Sequence, residues 1–151
     1  MKEVVRLARK KDIKACVSLA ADMIAEGYYK DFDVDKDDMQ AHASMTYSQP
    51  DWLFLVYEKE GKTVGFFSAQ RSKTFFGGDC IAEQKLMYID PVHRGNIKVP
   101  LAFMREFRSW ASRSNCKRIF FAPTVSIHDG FDIIANRLGY SYVGPMYGRA
   151  P

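Results

Sequence analysis

The sequence predicts an α/β fold with a mixed, mainly antiparallel sheet flanked by helices, on three observations. Runs rich in β-forming residues alternate with apolar stripes of helical period, and three of those runs follow one another with only turn residues between them. The 151 residues, 47% hydrophobic and 26% charged, suit one core. No linker, internal repeat or composition break interrupts the chain, so a single domain over residues 1–151 is expected.

Val4-Val5-Arg6-Leu7 reads as a short strand. Asp12 stands where a helix N-cap belongs, ahead of Ile13, Cys16, Val17, Ala20, Met23 and Ile24 on one helical stripe that Gly27 ends. Residues 28–38 carry five aspartates in their last eight positions, too polar for core, and predict a loop or a short second helix. Residues 52–57 and 63–69 form a hairpin around Glu58-Lys59-Glu60-Gly61-Lys62. Phe75-Phe76-Gly77-Gly78 marks the next turn and residues 80–89 the returning strand, stopped by Asp90-Pro91. Val99, Phe103, Phe107 and Trp110 then mark a helix to about Ser114, and residues 118–122 a strand stopped by Pro123. Ile127, Phe131, Ile134, Ala135 and Leu138 give a last helix ended by Gly139, with residues 140–143 as the final strand.

The 22 basic and 18 acidic residues leave a formal charge of +4, spread over the whole length, which argues against a nucleic-acid partner. No apolar run approaches the roughly 18 residues of a membrane helix, and Met1-Lys2-Glu3-Val4 lacks the apolar core of a signal peptide, so a cytoplasmic protein is expected. Cys16, Cys80 and Cys116 are odd in number and lack a Cys-x-x-Cys pair, which predicts free, buried thiols. His42, His93 and His128 share no metal-ligand spacing with one another or with the cysteines, and Asp31-x-Asp33-x-Asp35 lacks the glycine and the glutamate a calcium loop requires. No metal is expected.

Residues 83–101 carry the chemistry: a strand ends at Asp90-Pro91, a loop with Arg94-Gly95 follows, and a helix begins. Unpaired backbone N–H groups and the positive end of the helix dipole converge there and make an anion site suited to phosphate. Pro100 fits the first helical turn, where an amide is dispensable, while Arg94 and Lys98 add cationic donors.

At these residues the chain resembles the GNAT superfamily of acyl-CoA-dependent N-acyltransferases, whose signature is apolar-Tyr-Val-x-Pro-x-x-Arg-Gly-x-Gly-x-Gly/Ala. Met87-Tyr88-Ile89-Asp90-Pro91-Val92-His93-Arg94-Gly95 matches its first half, and Leu138-Gly139-Tyr140 is similar to the family's Leu-Gly-Phe ending. The resemblance implies a sheet splayed between its fourth and fifth strands. It also implies acetyl-CoA as co-substrate, its pyrophosphate on the loop of Arg94, Gly95, Asn96, Ile97, Lys98 and Val99, and its pantetheine arm along Met87, Tyr88 and Ile89. His128 falls at the family's helix-start asparagine. The second half of the signature departs, because Ile97 and Val99 replace glycines; some phage-encoded members also lack the second glycine and carry a basic residue in the loop, a place taken here by Lys98.

Glu83, four residues before Met87, stands where many members carry an acidic residue, and is the candidate general base that takes a proton from an ammonium acceptor. Ala135 replaces the family's acid tyrosine, leaving Tyr140, with Tyr142 and Tyr147 as alternatives, to protonate the departing thiolate. The implied activity is acetyl transfer to a primary amine by direct attack, the acceptor being a small molecule, a protein lysine or an N-terminus. The aspartates of residues 31–38 stand at the implied acceptor wall, where they suit a cationic amine, or else form a solvated turn. The competing reading is a catalytically silent GNAT-like binding or assembly protein, such as a phage particle component or a host-directed effector. The sequence leaves homo-oligomers and larger assemblies open.

Overall fold

The computed structural model describes residues 2–122, 131–144 and 148–151. Its elements are β1 (Glu3–Leu7), α1 (Ile13–Glu26), α2 (Lys36–Thr46), β2 (Trp52–Lys59), β3 (Lys62–Lys73), β4 (Cys80–Ile89), α3 (Lys98–Arg113), β5 (Cys116–Phe120) and α4 (Phe131–Arg137). The strands form one sheet in the order β1-β2-β3-β4-β5. The first four run antiparallel to their neighbours, and β5 lies parallel to β4. A parallel neighbour requires a crossover, which α3 provides.

The β2–β3 connection is two residues long, and Glu60 (φ 51°) and Gly61 (φ 79°) both take positive φ, the conformation a type I′ hairpin needs. β2 and β3 are buried on both faces, so their apolar runs are continuous through Leu53-Phe54-Leu55-Val56-Tyr57. On one face Val99, Phe103, Met104, Phe107 and Ala111 of α3 pack on Leu55, Tyr57, Phe67, Ala69 and Ala82. On the other, Ile13, Cys16, Val17, Ala20 and Met23 of α1, with Ala43 of α2, cover Phe54, Val56, Phe66 and Tyr88. Helical stripes of i, i+4 spacing thus meet the two faces of a period-two sheet.

Asp12 stands at the start of α1, but its carboxylate turns back instead of capping forward amides. It accepts hydrogen bonds from Arg6 (2.7 and 2.9 Å), from the Arg9 N–H (2.7 Å) and from Thr63 (3.1 Å). The acidic stretch resolves into a turn followed by α2, where Asp35 is the N-cap and accepts from the Asp37 and Asp38 N–H groups.

Three expectations need correction. The strand expected at 118–122 begins at Cys116, because Asn115 at φ 55° ends the α3 turn early and the pairing with β4 starts at Cys80↔Cys116. Residues 140–143 form no strand: the Tyr140 N–H donates back to the Ala135 carbonyl, and Tyr142 and Val143 face solvent instead of a sheet partner. Of the thiols, Cys16 alone is buried; Cys80 and Cys116 are half-buried and touch each other.

Candidate functional site

The site forms where β4 parts from β5. Their parallel register runs Cys80↔Cys116, Ile81↔Arg118, Ala82↔Ile119 and Glu83↔Phe120, whereas β4 continues to Ile89. On the β3 side, Ala69 pairs with Gln84 and Ser68 with Leu86, so Lys85 is an extra residue in β4. Such a bulge bends its strand and increases the local twist. β5 ends at Phe120, its last pair, and the second half of β4 runs on with no strand beside it on that side among the described residues, which leaves a wedge there. The Gln84 carboxamide accepts from the Ala122 N–H at 3.1 Å at the point of divergence.

Past β4, a 3-10 turn at Pro91–His93 is capped by Asp90, and Gly95 at φ +99° lets the chain reverse into α3. The Gly95, Asn96 and Ile97 N–H groups have no hydrogen-bond partner among the described residues. The Lys98 N–H is taken by the Asn96 carboxamide (3.1 Å) and the Val99 N–H by the Asn96 carbonyl (3.2 Å). Ile97 has φ −59°, so the missing glycine strains nothing in the backbone, although its side chain is exposed over the loop. Val99 points into the α3 core, and Lys98 is exposed.

Arg94 is already engaged. Its Nε donates to the Ile89 carbonyl (2.8 Å), its Nη2 donates to both oxygens of Glu26 (3.0 and 2.9 Å), and its guanidinium lies 5.0 Å from the centre of the Tyr88 ring. Tyr88 donates to the same Glu26 carboxylate at 2.6 Å. Tyr88 and then Arg94 hold the Glu26 carboxyl below its usual value, while burial and Glu26 raise the Tyr88 phenol.

Glu83 neighbours Ala82 of the α3-side core and projects to the opposite face, facing α1 and α2, where it lies opposite Gln70. Its carboxylate is 3.3 Å from Lys85 Nζ. Lys85 in turn lines a cavity of about 150 Å³ between α1, α2 and the sheet, with Met39, His42, Trp52, Phe66 and Leu86 among the other walls. The His42 and Trp52 rings meet edge to face at 5.7 Å. None of the aspartates of residues 31–38 lines that cavity. Tyr140 packs on the α3 side, edge to face with Phe121 at 4.5 Å, and burial pushes its phenol up to about 12. Its hydroxyl is buried without a hydrogen-bond partner among the described residues.

β4 therefore carries Glu83, Met87, Tyr88 and Ile89 into the loop that bears Arg94, Gly95, Asn96, Ile97 and Lys98. Glu83 and Tyr140 lie toward opposite faces of the sheet, and His128 and Tyr147 lie outside the described residues. Sequence reasoning missed Glu26, Lys85 and His42. The spacing Met39, Ala43, Thr46 marks an inward stripe of α2 that could have located His42, whereas the bulge at Lys85 has no sequence signal.

No protein-family model matches the chain, and no curated protein matches its sequence. Solved structures do. A glucosamine-6-phosphate N-acetyltransferase from Arabidopsis thaliana superimposes with a TM-score of 0.76 at 14% identity, covering 99% of each chain. A protein from Clostridium acetobutylicum, described as a predicted acetyltransferase with acetyl-CoA, gives 0.75 at 15% identity over 99% of this chain and 96% of its own. An aminoglycoside N-acetyltransferase in complex with CoA gives 0.74 at 11% identity over 99% and 95%. The parallel β4–β5 pair, the antiparallel strands before it and the flanking helices are common ground with these acetyltransferases, and the chain has the GNAT-superfamily fold.

Proposed function

We propose that this protein is a single-domain N-acetyltransferase that moves the acetyl group of acetyl-CoA to a primary amine by direct attack. The observation that carries the reading is the wedge between β4 and β5 beside a helix start with three amides that have no partner among the described residues. A pantetheine arm needs exposed strand backbone and a pyrophosphate needs converging N–H donors. The backbone of Met87, Tyr88 and Ile89 would hold the arm. The amides of Gly95, Asn96 and Ile97 would hold the pyrophosphate, with the Lys98 ammonium beside them. Arg94, tied to Glu26 in an ion pair, positions the loop against α1. Val99, packed in the α3 core, orients the first turn of the helix without offering its side chain to the cofactor.

In the transfer, the ammonium first gives a proton to Glu83 directly or through water, the freed amine nitrogen attacks the thioester carbonyl carbon, the carbon–sulfur bond breaks, and the nitrogen's second proton passes to water as the amide forms. Tyr140, whose phenol keeps its proton at neutral pH, is the donor to the departing thiolate. Among the described residues no carboxylate lines the cavity, so any acidic attraction for the acceptor comes from outside it. The amine enters past Lys85, with its apolar part in the cavity.

One observation favours the catalytically silent reading: the loop partly satisfies itself, through Asn96 on the Lys98 N–H and Glu26 on Arg94. Calorimetric titration with acetyl-CoA decides between them. Saturable binding in the micromolar range, weakened about tenfold to a hundredfold by Arg94→Ala, supports the enzyme reading. No saturable binding at millimolar acetyl-CoA would leave the silent reading.

A further inference from the structure

Cys80 begins β4 and Cys116 begins β5, and the two are register partners in the parallel pair. Neighbouring strands run about 4.8 Å apart, inside the Cα separation of about 4.4–6.8 Å that a disulfide spans. The two thiols are already in contact. Both are half-buried, open to a small reagent, whereas Cys16 is sealed beneath α1 at 2% exposure. Lys73 is the β3 partner of Cys80, and Lys117, which follows Cys116, pairs with Asp79 at 3.0 Å. Burial and the neighbouring Cys80 thiol push the Cys116 thiol up to about 12, with Arg71 acting the other way. Exchange should therefore run faster as pH rises, because the attacking species is the thiolate.

We propose that Cys80 and Cys116 are a reversible disulfide site that joins β4 to β5 at the closed end of the wedge. The oxidant class is a small-molecule disulfide such as oxidised glutathione. One protein thiolate attacks a glutathione sulfur and displaces one glutathione thiolate. The second protein thiolate then attacks the mixed disulfide and displaces the other. Two protein S–H groups are lost, one S–S bond forms, and one glutathione disulfide is reduced to two glutathione thiols. The site stands apart from the acetyl-transfer reading, since neither cysteine belongs to the loop or the cavity.

The test equilibrates the full chain with oxidised glutathione under native conditions, blocks remaining thiols with iodoacetamide and maps the digest by mass spectrometry. The expected product is one intramolecular cross-link between the peptides of Cys80 and Cys116, removed by dithiothreitol, with Cys16 unmodified. Because the bridge closes a loop of 36 residues, the oxidised protein should also melt roughly 5–15 °C higher. Cys16→Ser should keep the cross-link, and Cys80→Ser should leave glutathione attached at Cys116. Wild-type protein that ends with glutathione on each half-buried cysteine, with both alkylated, or cross-linked only between separate chains overturns the proposal. The wild-type map decides by itself if a variant does not fold.

Discussion

Asp12 is nearly out of contact with water, yet it stays charged because four donors converge on it. Burial alone would raise its carboxyl, but the Arg6 guanidinium and the Arg9 N–H outweigh burial and hold it at about 2, against an ordinary 3.8. A depressed carboxyl stabilises the fold above its unfolded pKa, and the contribution is lost as pH falls through the folded one. Asp12 should thus contribute about 2 kcal/mol at neutral pH, fading between pH 4 and about pH 2. Asp12→Asn should lower stability at pH 7 by roughly 2–4 kcal/mol, since it removes one of the two carboxylates that Arg6 pairs with. Urea unfolding of both proteins at pH 6 and pH 2.5 checks this: the gap between them should narrow at the lower pH. For the proposed base, Glu83→Gln should slow acetyl transfer by about 10²–10⁴-fold and leave acetyl-CoA affinity nearly unchanged. A mutant with wild-type turnover would remove Glu83 from the chemistry. At this scale the sequence marked Asp12 as the helix start, although its carboxylate bonds back to Arg6 and the Arg9 N–H instead of capping forward amides. It did not reveal Arg6, Glu58 and Thr63 around it, or Glu26 beneath Tyr88 and Arg94, since those pairs join residues brought together only by the sheet.

Among the elements, the β2–β3 hairpin was legible because a two-residue turn of positive φ leaves a chemical mark, here Glu60-Gly61. The splay expected from the family resemblance is present, but the extra residue Lys85 beside it was not legible, since a bulge is defined only by the partner strand. Deleting Lys85 should restore the regular alternation between Gln84 and Leu86, straighten β4 and narrow the wedge. The expected result is a folded protein, by circular dichroism and a cooperative melt, that has lost acetyl-CoA binding in calorimetry. Retained affinity would show that the bulge is not what opens the cleft. The start of β5 was misread by two residues because the β-rich composition runs on through Phe120-Phe121, while the left-handed Asn115 that starts the strand carries only a weak signal. Residues 140–143 have strand composition but no neighbour to pair with, and composition cannot supply one.

For the whole molecule, one sheet is shared by two cores, and Phe103 is fully buried in the α3 core against Phe67, with ring centres 5.7 Å apart. Phe103→Ala should cost about 3–5 kcal/mol, lowering the melting midpoint by roughly 6–20 °C in a domain of this size. Thermal scans of wild type and mutant measure it. β2, β3 and β4 are joined by short turns, so their pairings are close in sequence, whereas β5 reaches β4 only after the chain has passed through α3. Non-local pairings form later and are lost more readily than local ones. The strand bordering the wedge is therefore the last to dock and the first to let go. In native-state hydrogen exchange its amides should turn over faster than those of β2 and β3. Opening the gap thus needs only a partial, local unfolding of one edge strand, and a ligand lying between β4 and β5 would act as the missing partner that slows it.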